Sequence, residues 1–143
     1  DSASPESQVA WREQERRVPR LVRASRDRGG RLQIPDGPYE LTTKARGLLD
    51  NLELTSAVER EPEPGHVKIR VSITGLNFRD VLNALGMYPG EPPLLGSECV
   101  GHIVSVGAGV EDLKPGDRVM AIGENAFATY VYQLAELVQR TSH

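Results

Sequence analysis

Between His66 and Thr74 the chain reads HVKIRVSIT, with an apolar residue at every second position. Val67, Ile69, Val71 and Ile73 alternate with Lys68, Arg70, Ser72 and Thr74, a period of two that predicts a strand with one buried and one wet face. The turn residues EPEPG, 61–65, lead into it. Upstream, Tyr39–Thr42 and Leu52–Val58 are weaker strand candidates; the latter places Leu52 and Leu54 on one face, Glu53 and Thr55 on the other. Downstream the period changes. In NFRDVLNALG, Phe78, Val81, Leu82 and Leu85 fall at i, i+3, i+4 and i+7, one stripe of a short α-helix. Asn77 suits its N-cap, Asp80 stands in the first turn where the helix dipole favours an anion, and Gly86 is a natural stop. MYPGEPPLLG follows as a proline-rich loop, and Cys99–Val106, Arg118–Ile122 and Phe127–Tyr132 read as three more strands. In KPGD, Pro115 and Gly116 hold the two central positions of a type II turn. Short strands separated by turn chemistry predict a mainly β domain, a small barrel or sandwich.

Composition narrows the function classes. The 143 residues suit one domain, and 38% hydrophobic with 26% charged residues is globular. No apolar run approaches membrane-spanning length and the first residues are not a secretory signal, so no membrane partner is expected. Cys99 is the only cysteine, which rules out an internal disulfide and favours a reducing compartment, the cytoplasm by default. Charge is uneven: residues 1–31 carry eight arginines against five acids, whereas residues 32–143 carry nine basic against fifteen acidic residues. Residues 1–31 therefore read as a linker or preceding-domain segment, with RVPRLVRA, 17–24, as a possible strand that Pro19 confines to an edge. No aromatic platform accompanies the arginines and acids interleave with them, so nucleic acid is not an expected partner.

The stretch GSECVGHIVSVGAG, 96–109, carries two chemical hints, and neither survives. A dinucleotide fingerprint needs G-x-G-x-x-G between a strand and a helix. After Gly107 and Gly109 the third position is Asp112, and Pro115 stands where the helix should grow. The glycines read instead as turn residues and points of close backbone approach. A metal cluster of Glu98, Cys99 and His102 fails because a strand sends Glu98, Val100 and His102 to one side, Cys99 and Gly101 to the other. Cys99 reads as a small buried hydrophobe; a nucleophilic role would need a base the sequence does not supply.

GSECVGHIVSVGAGVEDLKPGDRV, 96–119, nevertheless resembles the signature region of the medium-chain dehydrogenase/reductase superfamily. GLNFRDVLNALGMYPG, 75–90, closely resembles the N-F-R-D motif of enoyl reductase domains in modular polyketide synthases and, more distantly, animal fatty acid synthase. RLQIPDGPYELTTKARGLLDNLELTSAVEREPEPGHVKIRV is similar to the opening strands of the same domains, so the resemblance covers roughly residues 31–133. It implies a mainly β fold with short helices, the GroES-like, partly open barrel of the catalytic half, over 32–143. Zinc-dependent members place a cysteine and a histidine where this chain has Asn77 and Ser97, which implies the zinc-free branch and no metal.

The same resemblance implies reduction of the α,β-double bond of an enoyl thioester on an acyl carrier protein, with NADPH as reductant and other synthase domains as neighbours. It makes Asn77 and Asp80 candidate cleft residues, with helix capping as the plainer role for each. It makes Tyr88 a candidate proton donor tied to stereochemistry at the α-carbon; packing under the Pro-Gly loop is its plainer role. The dinucleotide-binding Rossmann half is expected to be missing. VYQLAELVQRTSH departs from the usual continuation of the family, as a truncation, a fragment or an interrupted reading frame would. On this reading the chain alone does not turn over enoyl thioesters. Two alternatives stay open: a fragment of a zinc-free quinone oxidoreductase, and a non-catalytic GroES-like docking module.

Overall fold

Two-residue periodicity at 66–74 becomes an interior strand of an antiparallel sheet. The computed structural model describes residues 10–18 and 32–141. The chain divides into two units, Asp1–Gly30 and Arg31–His143. In the first, β1 (Ala10–Arg12) and β2 (Glu15–Arg17) form a hairpin pairing Trp11 with Arg16. Its two-residue turn, Glu13 and Gln14, has positive φ at both positions, the geometry that matches strand twist in tight hairpins. This hairpin was not expected. Of the strand expected at 17–24, only Arg17 lies in β2, and residues 19–24 lie outside the described residues.

The second unit holds β3 (Tyr39–Thr43), β4 (Leu52–Ser56), β5 (His66–Thr74), α1 (Phe78–Ala84), β6 (Glu98–Val106), β7 (Arg118–Ile122), β8 (Tyr130–Leu134) and β9 (Val138–Arg140). Strands β3 and β4 form a hairpin, and the others form one sheet in the order β8-β5-β6-β7-β9. Every pairing among the described residues is antiparallel. A doubly wound dinucleotide fold would need parallel strands, so the mainly β expectation holds. Among the described residues no helix is long and apolar enough to cross a membrane.

The sheet's inner face carries the core. Val67 and Ile69 of β5 meet Cys99 and Ile103 of β6, Val119 and Ala121 of β7, Val131 of β8 and Val138 of β9. The KPGD turn forms as expected: Lys114 C=O accepts from Asp117 N–H at 3.1 Å, with Gly116 at φ 92°.

Three expectations need correction. First, strict alternation in β5 fails at its end. An irregularity in the β5–β6 register falls between Val71 and Ile73, where two β5 steps meet one on β6. Such a bulge reverses the phase, so Ile73 is 61% exposed instead of facing the core. Lys68, expected wet, is 2% exposed: its ammonium ion-pairs with Glu59 and lies 4.6 Å over the Tyr130 ring.

Second, the expected strand 127–132 is displaced to 130–134 because the chain changes partner there. Leu41 N–H donates to Phe127 C=O and Thr129 N–H to Tyr39 C=O, both at 2.8 Å, so residues 127–129 pair with β3 before β8 joins β5. This switch links the hairpin to the sheet and curls it into a half-open barrel.

Third, α1 buries its apolar stripe only in part: Val81, Leu82 and Leu85 are half-buried. Phe78 is 74% exposed, and the buried residues are Asp80, Asn83 and Ala84. Polar hydrogen bonds add to this partial apolar packing in docking the helix. Asn83 accepts from Arg46 Nε at 3.0 Å and donates to the Pro93 carbonyl, tying the helix to both flanking loops.

Candidate functional site

The end of β5, the start of α1 and the start of β6 converge, and Asp80 holds the junction. Asn77 takes the N-cap position with extended backbone, and its carbonyl accepts from Asp80 N–H at 3.0 Å. In return, Asp80 Oδ2 accepts from the Asn77 backbone N–H at 2.9 Å, the reciprocal arm of a capping box. Its other oxygen, Oδ1, accepts from Gly96 N–H at 2.9 Å. Asp80 is 3% exposed. With both oxygens engaged and no solvent access, it sets the distance between the helix start and the 96–98 segment. Of its two expected roles, helix capping is the one this geometry fits.

That placement brings Asn77 and Ser97 together, 20 positions apart in the chain. Asn77 Nδ2 donates to Ser97 Oγ at 3.0 Å and also reaches Glu98 Oε1 at 3.3 Å. Glu98 is held in turn: its carbonyl accepts from Thr74 Oγ1 at 2.9 Å, and its carboxylate lies over Gly75, where any Cβ would overlap Oε1. Sequence reasoning weighed Glu98 only as a metal ligand. Its partnership with Asn77 had no local signal, because it follows from the turn that returns the chain to β6.

Glu98 also borders an apolar cavity of about 410 Å³ on the outer face of the sheet, lined by Ile73, Thr74, Val100, Met120 and Ile122. The bulge that turns Ile73 outward helps to form it. A second cavity, about 710 Å³, is lined by Glu40, Arg60, Asn125, Tyr130 and Tyr132 and includes none of the sequence-predicted site residues. Tyr88 is half-buried in the loop after α1, with no hydrogen bond to Asn77 or Asp80. Arg79, in the first turn of α1, buries its Nη2 without a partner among the described residues. No local pattern signals that burial.

Beyond Ser97 and Glu98, the rest of the 96–109 stretch serves as scaffold. Cys99 lies in the core, and burial pushes its thiol up to about 11. His102 is exposed on the outer face. Gly101 and Gly107 are sites of close approach: a Cβ would overlap the Arg70 carbonyl oxygen at the first and the Glu63 carbonyl oxygen at the second. The Gly107 end of the GAG turn is thus filled by the chain's own backbone, with Gly65 N–H donating to Ala108 C=O at 2.8 Å, while Gly109 faces open space. The N-terminus of α1 is likewise taken by Asp80. These residues do not fit a dinucleotide pyrophosphate, which needs an open glycine turn facing a free helix N-terminus. Nor do Asn77 and Ser97 fit zinc: a carboxamide and a hydroxyl already bonded to each other are a poor donor set.

Residues 63–136 match the alcohol dehydrogenase GroES-like domain family. The chain belongs to that family. It is 40% identical over 96% of its length to the pikromycin polyketide synthase component PikAII of Streptomyces venezuelae, of which it spans 4%. Its fold is similar to the crystal structure of CurK enoyl reductase at TM-score 0.69 and 31% identity, covering 75% of this chain and 36% of that one. A quinone oxidoreductase of Pseudomonas syringae pv. Tomato DC3000 is also similar, at TM-score 0.66 and 26% identity over 74% of this chain and 34% of that one. The GroES-like fold and the resemblance to polyketide synthase enoyl reductases, both expected from the 75–90 and 96–119 motifs, are therefore borne out.

Proposed function

We propose that this chain forms the substrate-side cradle of a polyketide synthase enoyl reductase, which reduces the α,β-double bond of an enoyl thioester carried on an acyl carrier protein. The observation that carries this reading is the hydrogen-bonded polar group Asn77, Ser97 and Glu98, of which Glu98 borders an apolar groove, in a chain whose relatives are polyketide synthases. An apolar wall suits an acyl chain, and a few convergent polar atoms suit its thioester head. In this reading Asn77 is a cleft residue and Asp80 a positioning residue. Tyr88 is the candidate proton donor to the α-carbon, a role that requires the substrate to lie against the loop after α1. NADPH is the reductant and supplies the hydride; its phosphates are gripped by residues other than those described. Neighbouring synthase domains and a cytoplasmic setting complete the proposal, with no metal, nucleic acid or membrane taking part. This chain alone does not sustain turnover of a crotonyl thioester with NADPH.

A quinone reductase is the second reading, favoured by the fold similarity to the Pseudomonas enzyme. NMR titration of the chain separates the two. S-crotonyl-pantetheine should perturb the amides of residues 74–77 and 96–99 saturably, whereas p-benzoquinone should not. Saturation by the quinone alone would transfer the chain to the second reading, and saturation by neither would leave a structural module.

A further inference from the structure

We infer that the Ser97 hydroxyl is a hydrogen-bond donor to the thioester carbonyl oxygen, aimed by Asn77 and Glu98; this rests on the enoyl thioester reading above. The Asn77 carboxamide nitrogen carries two hydrogens and accepts nothing. One is directed at Ser97 Oγ, 3.0 Å away, and the other at Glu98 Oε1, 3.3 Å away. An ionised carboxylate only accepts, so Glu98 fixes which way the carboxamide points: flipped, it would set oxygen against oxygen. Ser97 Oγ is therefore the acceptor in its bond with Asn77, and its own hydrogen is left over. Among the described residues it has no acceptor.

A half-buried hydroxyl with a lone pair engaged and its hydrogen free is a directed donor in search of an oxygen. Its backbone is held on both sides: Gly123 N–H donates to Ser97 C=O at 2.9 Å, and the preceding Gly96 N–H donates to Asp80 at 2.9 Å. Glu98, the next residue, borders the apolar groove. An acyl chain lying in that groove brings its thioester carbonyl to this polar rim. As a double bond conjugated to that carbonyl is reduced at the β-carbon, the electron pair moves toward the carbonyl oxygen, and the charge returns when the α-carbon takes its proton. A fixed donor on that oxygen is stronger in the charged state than before it. Ser97 keeps its proton throughout, and the hydride comes from the nicotinamide reductant.

The experiment uses the 143-residue chain and S-[1-¹³C]crotonyl-pantetheine, reading the carbonyl ¹³C resonance and the dissociation constant. Bound to the wild type, the carbonyl should shift downfield. S97A should lose that shift and bind about 5-fold more weakly. S97T, which retains the hydroxyl, should restore both, and E98Q, which frees the carboxamide to flip, should reduce the shift without removing the groove. S97V against S97T gives the same comparison should S97A fail to fold by circular dichroism. An unchanged carbonyl shift in S97A or S97V, with the thioester still saturating, overturns the Ser97 assignment and leaves the enoyl reductase reading standing. Failure of the wild type to bind the thioester overturns that reading and this assignment with it.

Discussion

Removing the Asp80 carboxylate should unlock the helix start from the segment it faces. Asp80 is 3% exposed and accepts two backbone N–H bonds, from Asn77 and Gly96, both at 2.9 Å. A hydrogen bond to a charged group contributes about 1.5–3 kcal/mol, and a buried donor left unpaired bears its desolvation cost. D80A strands both donors and opens a small void, so a loss of about 3–5 kcal/mol is expected. D80N keeps the shape but can accept at one end only, setting an NH2 against the second donor, and should lose about 2–3 kcal/mol. Against a total stability on the order of 5–15 kcal/mol, either loss is large. Urea unfolding followed by circular dichroism reads it directly. With a slope of about 2 kcal/mol per molar urea, a loss of 3 kcal/mol lowers the midpoint by about 1.5 M. Asp36 is exposed, so D36N serves as the control and should fall within about 0.5 kcal/mol of the wild type. If D80A unfolds at the same urea concentration as D36N, the carboxylate is not what docks α1, and the role of Asp80 lies in contact with substrate instead.

Three further outcomes follow from the packing. Cys99, with its thiol pushed up to about 11 by burial, should react with a disulfide reagent at pH 8 orders of magnitude more slowly in the folded protein than in urea; rapid labelling of the native state would contradict its place in the core. G101A should lose about 2–4 kcal/mol because its Cβ overlaps the Arg70 carbonyl oxygen, whereas G37A, strained only by its φ of 86°, should lose less; equal midpoints in urea would refute the close approach. For Lys68, burial acts to lower the pKa, but the Glu59 hydrogen bond and nearby negative charge outweigh it and hold the ammonium above its ordinary 10.5. A raised folded pKa means that the stabilisation is complete below the unfolded value and disappears as pH climbs through the folded one. The advantage of wild type over E59Q, about 1 kcal/mol given that Glu59 is half exposed, should therefore hold at neutral pH and vanish in strongly alkaline solution, as a series of melting temperatures would record.

Local pattern was enough wherever local physics decides. Alternation located β5, β6 and β7; Pro115-Gly116 located their type II turn; Asn77 and Gly86 bracketed α1. The failures share one cause: a distant segment overrules the local period. Ile73 turns outward because β6 is one residue short of matching β5 at the bulge, and no reading of HVKIRVSIT alone contains that register. Lys68 is buried because Glu59 and Tyr130 cover it. The residues before β8 pair first with β3, which moved that strand from its expected place. Phe78 is exposed because Asp80 and Asn83, polar residues on the other side of the helix, have the hydrogen-bonding partners that dock it. The site divides in the same way. Asn77 and Asp80 were legible from the capping pattern and the family motif. Ser97 and Glu98 became partners of Asn77 only through the fold, and Tyr88 rests on the motif alone.

Calorimetric titration of the 143-residue chain, once with S-crotonyl-pantetheine and once with NADPH, tests most directly whether these residues cradle a thioester without gripping the reductant. Saturable heat is expected for the thioester, and none for NADPH up to roughly 1 mM, because the Gly107 end of the GAG turn is filled by backbone and the start of α1 is taken by Asp80. Micromolar, saturable NADPH binding with no response to the thioester would contradict it.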